Sequence, residues 1–271
     1  MKTAIFVCLI LLLAAVLAQF FLAGRFLAEI TRQEQSIRTA PAADLRDPAE
    51  IPEAMRRFAG RGLASQANPP RAVHLTQEAQ VLQGETWSTS QTHQHIAIAE
   101  PAFVWVAHGA GWPVPAVRVM DRFTGGEGLL EVRLFGSIRV GQFTGPDADI
   151  GEAMRYLAEL PFAPDAIVSN GSILWRQIDA QTVEAELALP PGSAVVRFHL
   201  DDAGDVVEVT ADDRPDVSSG ERVLRQWRGV FSDYEEIGGR RVPQMAEVGY
   251  VNDGVYAPYF RGRITSYEVL K

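Results

Sequence analysis

The chain has 271 residues, 47% hydrophobic and 22% charged, an ordinary globular composition long enough for one large domain or two small ones. Its net charge is −9. Lys2, Arg25 and Arg32 against Glu29 make residues 1–32 positive by two, so the remainder carries −11, and an acidic domain disfavours nucleic acid as a partner. The single cysteine, Cys8, excludes an intrachain disulfide, and it leaves no thiol after residue 8 for a nucleophile or a zinc site.

Thr3 to Gly24 is free of charge, with Thr3 and Gln19 its clearly polar members. Such a run is long enough to cross a hydrocarbon core of roughly 30 Å as a helix. Lys2 precedes it, as in an export signal. Val16-Leu17-Ala18 would supply a cleavage site, but Phe20, Phe21 and Leu22 follow directly, so an uncleaved anchor is preferred to a cleaved signal peptide. Arg25, Arg32 and Arg38 after the run favour a cytoplasmic domain, whereas the export-like start favours translocation. The second cue is followed here, and the expectation is a single-pass membrane protein with an extracytoplasmic domain.

Residues 25–70 read as a juxtamembrane continuation, a linker and an amphipathic helix. In Pro48 to Gly60, Ile51, Met55 and Phe58 share one helical face, Pro52 is tolerable only in a first turn, and Gly60 is a natural stop. From residue 71 the period changes to two. Val73, Leu75, Ala79 and Val81 alternate with polar neighbours, Phe103, Trp105 and Ala107 follow, and further short runs continue to residue 140. Asp149-Ile-Gly-Glu152 resembles a capping box, which predicts a helix starting there with Ile150, Met154 and Leu157 as its apolar face and Pro161 as its end. Strands are expected again over residues 173–178, 182–189, 194–200, 206–211, 223–234, 241–251 and 256–270.

These elements give an α+β, mostly β fold over residues 71–271. The expected form is a large curved antiparallel sheet, a half-barrel or open barrel, with a helix on its concave face. Residues 1–24 are the hydrophobic membrane anchor or signal segment, ahead of the residue 25–70 region.

The sequence contains no Gly-x-Ser-x-Gly, His-Glu-x-x-His, Gly-x-x-x-x-Gly-Lys or Gly-x-Gly-x-x-Gly motif. His93 and His95 would share one side of a strand, and His74, His108 or Glu100 could complete a metal site. The alternative is that Thr86–His95 is a polar, solvent-facing stretch, and no metal site is assigned. Asp121 to Gly128 could present backbone N–H groups to an anion, but Asp121 and Glu127 oppose one and a tight hairpin explains the glycines. Arg155 and Glu159 are spaced to pair on the helix surface, with Tyr156 between them. Trp87, Trp105, Trp175 and Trp227 lie in strands, expected on the concave face, either as core or as the lining of a lipid-sized cavity. Asn170-Gly-Ser172 matches a glycosylation sequon but reads as a turn.

Several stretches then carry a resemblance. They include Pro101–Ala107, Asp121–Gly128, Met154–Leu160, Leu174–Asp179, Gly204–Arg214, Trp227–Tyr234, Gly239–Pro243 and Tyr259–Arg263. In this order they resemble an uncharacterised bacterial family, domains of unknown function of the 6544/6920 type, over most of residues 50–271. Phe123 stands where that pattern has Tyr, and Tyr250 where it has Trp. The resemblance implies a domain often tethered to a membrane and implies no activity.

The expected function is a membrane-anchored, non-enzymatic binding protein for a lipid or other apolar ligand. Its candidate ligand-binding residues are Trp105, Asp121, Arg155, Tyr156, Glu159, Trp175 and Trp227; no catalytic residue and no cofactor is assigned. The membrane is a partner through the N-terminal segment, and a protein partner is unknown. The alternatives are an envelope interaction or scaffold domain, and an enzyme with a dispersed site using His93, His95, Asp121 or Glu159.

Overall fold

The structure, a computed structural model, describes residues 2–42, 44–61, 69–109, 115–190, 192–216 and 222–271. Helix α1, Lys2–Arg38, is uninterrupted over 37 residues. Its first part is long and apolar enough to cross a membrane and is not buried against protein. From Phe26 onward one face turns inward: Phe26, Ile30 and Ile37 are buried. A 3-10 turn, Pro48–Glu50, precedes α2, Glu53–Gly60. Pro52 sits at the cap of α2, where a missing N–H breaks no helical bond, so the helix begins later than Pro48. Ile51, Met55 and Phe58 are buried, as their spacing requires.

Among the described residues thirteen strands follow: β1 Ala72–Gln83, β2 Thr86–Ala97, β3 Phe103–His108, β4 Val117–Thr124, β5 Glu127–Leu134, β6 Ile138–Thr144, β7 Leu174–Gln177, β8 Thr182–Leu189, β9 Gly192–Leu200, β10 Val206–Asp216, β11 Val223–Ile237, β12 Arg240–Asn252 and β13 Val255–Leu270. They form one sheet in the order β6-β5-β4-β3-β2-β1-β13-β12-β11-β10-β9-β8-β7. Every neighbouring pair is antiparallel. All are consecutive hairpins except β1 with β13, which joins the two ends of the meander at its centre. The result is a curled half-barrel whose edges are β6 and β7.

The chain passes from one edge to the other through α3, Pro146–Ala158, then a 3-10 turn Leu160–Phe162 and α4, Pro164–Ser169. Helix α3 lies in the concavity and touches β4, β5 and β6 on one wing and β8, β9 and β10 on the other. Its close seat on β5 depends on Gly128, where a Cβ would fall 2.3 Å from the Ala148 carbonyl oxygen. The hairpin between β4 and β5 turns through Gly125 (φ 61°) and Gly126 (φ 82°), the backbone that the glycines were expected to supply.

Both faces of the sheet are covered over β2–β4, which is why Phe103–Ala107 is buried throughout. The concave side chains Phe103, Trp105 and Phe123 join the main core with Met55, Phe58, Tyr156 and Leu157. The convex side chains Ala72, Ala97, Val104, Val106 and Met120 pack under Phe26, Ile30 and Ile37 of α1.

Three expectations are corrected. Helix α3 starts at Pro146, with Gly145 as its cap and no side-chain capping bond. The Asp149 carboxylate instead accepts from the Gly128 N–H at 2.8 Å, and Glu152 is buried, so the pair is not a capping box. Thr86–His95 faces solvent only in its first part, where Thr86, Thr89 and Gln91 are exposed: Thr92, Gln94 and His95 are buried because α3 and its turn cover one face and α1 the other. Finally, Trp87 lies on the face opposite Trp105, half-buried, with the Arg261 guanidinium 4.4 Å over its ring.

Candidate functional site

Strand register sets the site. Trp105 on β3 is paired with Asp121 on β4 and with Gln94 on β2, so all three point to the concave face. Helix α3 crosses above them. Its residues Glu152, Arg155 and Glu159 recur at three and four positions, which places them on one stripe. That stripe faces the sheet.

The Arg155 guanidinium binds Asp121 Oδ2 at 2.5 Å and Glu159 Oε1 at 2.8 Å. It also lies 4.8 Å over the Phe103 ring and 5.1 Å over the Trp105 ring. The Gln94 amide donates to the other Glu159 oxygen. From the opposite wing, Arg214 on β10 donates to the Gly151 carbonyl, with Glu152 Oε1 3.7 Å away. Its guanidinium lies 4.8 Å over the Trp227 ring, and Trp227 donates its indole N–H to the Tyr259 hydroxyl at 2.9 Å.

Burial raises the pKa of Glu152 to about 8, helped by the neighbouring Asp121 carboxylate and opposed by Arg214 and Arg155. With both groups ionised, Asp121 Oδ1 and Glu152 Oε2 have no partner among the described residues. A proton on Glu152 donated to Asp121 would satisfy both. With that proton, two guanidinium groups face two carboxylates. The Trp105 indole N–H and Arg214 Nε–H remain buried donors without an acceptor among the described residues.

Of the expected residues, Trp105, Asp121, Arg155 and Glu159 come together, and Trp227 joins them through Arg214. Tyr156 does not. Its hydroxyl donates to the Ala97 carbonyl (3.3 Å) and accepts from the Asn170 amide (2.9 Å), within the core. Asn170 also accepts from the Ser172 N–H, which is the expected turn. Trp175 packs half-buried on Phe198, 5.8 Å between rings, at the β7 edge. Glu152, read from sequence as a cap residue, and Arg214 and Gln94 were not among the expected ligand-binding residues. Glu152 was legible as the helical stripe with Arg155 and Glu159; Arg214 was not, because β10 runs past Ala211 to Asp216.

Four of the five histidines gather on the other face. His74 stacks on His95 (4.4 Å), His93 lies 5.4 Å from His108, and His93 Nε2 is 2.6 Å from Glu34 Oε1 of α1. Among the described residues no group of three such side chains is arranged to hold a metal ion.

A family model of unknown function, DUF6544, matches residues 41–262, most of the chain. The chain belongs to the DUF6544 family. No curated protein matches this family member. Among solved structures, it resembles a DUF1329-family protein from Desulfovibrio piger at 10% identity and a TM-score of 0.45, covering 80% of this chain and 92% of that one. It also resembles a LolA-superfamily protein from Nitrosomonas europaea at 7% identity and a TM-score of 0.44, covering 80% and 93%.

Proposed function

We propose that this DUF6544 protein is a membrane-anchored, non-enzymatic binding protein for a lipid or other apolar ligand that carries a polar acceptor group. Helix α1 holds the domain at the membrane, with the domain on the extracytoplasmic side. The apolar part of the ligand lies along the concave face. Its acceptor meets Arg214 and the Trp105 indole, within reach of Arg155.

The supporting observation is the pair of buried donors without acceptors, Trp105 Nε1 and Arg214 Nε, inside a cluster of two arginines and three acids. Buried donors left unpaired cost about 1–3 kcal/mol each, so an acceptor arriving there gains more than it would at the surface. Helix α3 covers the cluster, so entry requires α3 to shift.

The test compares full-length protein with R214M and W105F, purified in one detergent. Extracted lipid is quantified by mass spectrometry. Lipid held by the anchor is common to all three, so only lipid in the domain differs. A species present at one per chain in the native protein and lost from both variants is expected. Equal lipid in all three, with all three folded, removes this site.

A further inference from the structure

The charge-free run of α1, Thr3 to Gly24, is 22 residues. At about 1.5 Å per residue it is about 33 Å long, against a hydrocarbon core of about 30 Å. There is little slack, so the hydrocarbon boundary falls close to Arg25, and Gln19 lies about 9 Å inside it, more than a helical turn. A glutamine at that depth needs partners. It finds them in the protein. Gln19 Nε2 donates to the Phe135 carbonyl at 3.0 Å, and the Ser137 hydroxyl donates to Gln19 Oε1. The turn joining β5 to β6 therefore reaches the level of Gln19. Gly136 of that turn is close enough to α1 that a Cβ would touch Ala23 at 3.4 Å.

The hairpin is dressed for that depth. Phe135 is held at φ 49°, an unfavourable conformation for a bulky residue, and is 47% exposed. Ile138 and Val140 on the edge strand β6 are each 54% exposed. Among the described residues beyond α1, these are three of only eight exposed large hydrophobics, yet they fall within six positions. Behind the tip, Arg25, Arg133 and Arg139, with Glu29 and Glu131, line a cavity of about 450 Å³ between α1 and the β5–β6 hairpin. Arginines one step back from an apolar tip sit where phosphate headgroups begin.

We propose that the β5–β6 hairpin is a second membrane contact. Its apolar side chains, Phe135, Ile138 and Val140, insert beside α1 into the phospholipid leaflet under the domain, and Arg25, Arg133 and Arg139 meet the headgroups. This rests on α1 as a membrane anchor and is independent of any ligand on the concave face. It fixes the orientation of the half-barrel: the strand end carrying the β5–β6 turn faces the bilayer, and the opposite end faces away.

The test uses the full chain in vesicles of phosphatidylcholine with phosphatidylglycerol. Cys8, the one native cysteine, is labelled with an environment-sensitive fluorophore to report the span. In a C8S background, F135C and I138C report the hairpin, and I178C, 43% exposed in the β7–β8 turn at the opposite strand end, reports water. Brominated lipids quench only labels within the acyl region. The expected result is loss of most emission at 8, 135 and 138 and little loss at 178. Quenching at 8 without quenching at 135 and 138 overturns the second contact while leaving the anchor. No quenching at 8 overturns the anchor itself, and the hairpin contact with it. Labels at 135 and 138 shielded from aqueous iodide yet untouched by brominated lipid would place a second protein chain on the hairpin, and the proposal falls.

Discussion

Glu152 shows how a single acid behaves differently once it is enclosed. In sequence it reads as half of a helix cap; in the fold it lies on the buried, sheet-facing side of α3, beside Asp121 and Arg214. Burial raises its pKa from 4.5 to about 8, so the folded state keeps a proton that the unfolded chain releases near 4.5. Its contribution to stability is fully present below the unfolded value and is lost as pH rises through the folded value, at up to about 1.4 kcal/mol per pH unit. The variant E152Q retains an N–H donor toward Asp121 and cannot titrate. Urea unfolding across this window should show native protein weakening with rising pH while E152Q stays flatter. Parallel profiles would mean that Glu152 does not hold that proton.

At the scale of elements, the docking of α1 on the convex face is the contact that composition least suggested. Phe26, Ile30 and Ile37 fall on one helical face, so an amphipathic continuation was readable, but its partner surface was not. That surface includes four histidines from three strands. Burial lowers the pKa of His95 and His108 from 6.5 to about 4, His74 adding to the effect at His95 and Arg118 at His108, while Glu34 opposes it at both. His74 is lowered too, chiefly by burial, with His93 and Arg38 in the same direction and Glu268 and Glu34 against. Both ring nitrogens of His95 lack a partner among the described residues. Lowered values mean that this stability is present above 6.5 and is lost as pH falls through about 4. Acidification should therefore loosen α1, read as faster hydrogen exchange of the Ile30–Ile37 amides after correction for intrinsic rates. In H95L the effect should be smaller. Exchange that ignores pH in both proteins would show that the histidines do not govern docking.

For the whole molecule, the same contact decides where the folding unit begins. The family match starts at residue 41, and the sequence suggested a globular domain from residue 71. Removing α1 would uncover Ala72, Ala97, Ala102, Val104, Val106 and Met120 on β1–β4 and their connections. Burying a large apolar side chain is worth about 1.5–3 kcal/mol, so losing Phe26, Ile30 and Ile37 should cost several kcal/mol. A chain starting at Gly24 should remain monodisperse by size exclusion, whereas one starting at Pro41 should aggregate or unfold at clearly lower urea. Equal midpoints would make α1 a tether and nothing more.

The sequence by itself determined the local elements. Alternation marked the strands from Val73 onward, the glycine pair at 125–126 marked a hairpin needing positive φ, and a charge-free run of 22 residues marked the span. Each of these depends on neighbours within one element, where period and length are visible. The tertiary structure decided what covers each face. Alternation in Phe103–His108 distinguishes two faces without saying that α3 lies on one and α1 on the other. It also decided that Arg214 on β10 reaches Glu152 on α3, and that Gln19 meets the turn at Phe135. Those partners are distant in sequence and share no motif. The closure of β1 against β13 and the passage of α3 between the two wings bring Arg214 to Glu152, and the docking of α1 on the convex face brings Gln19 to Phe135.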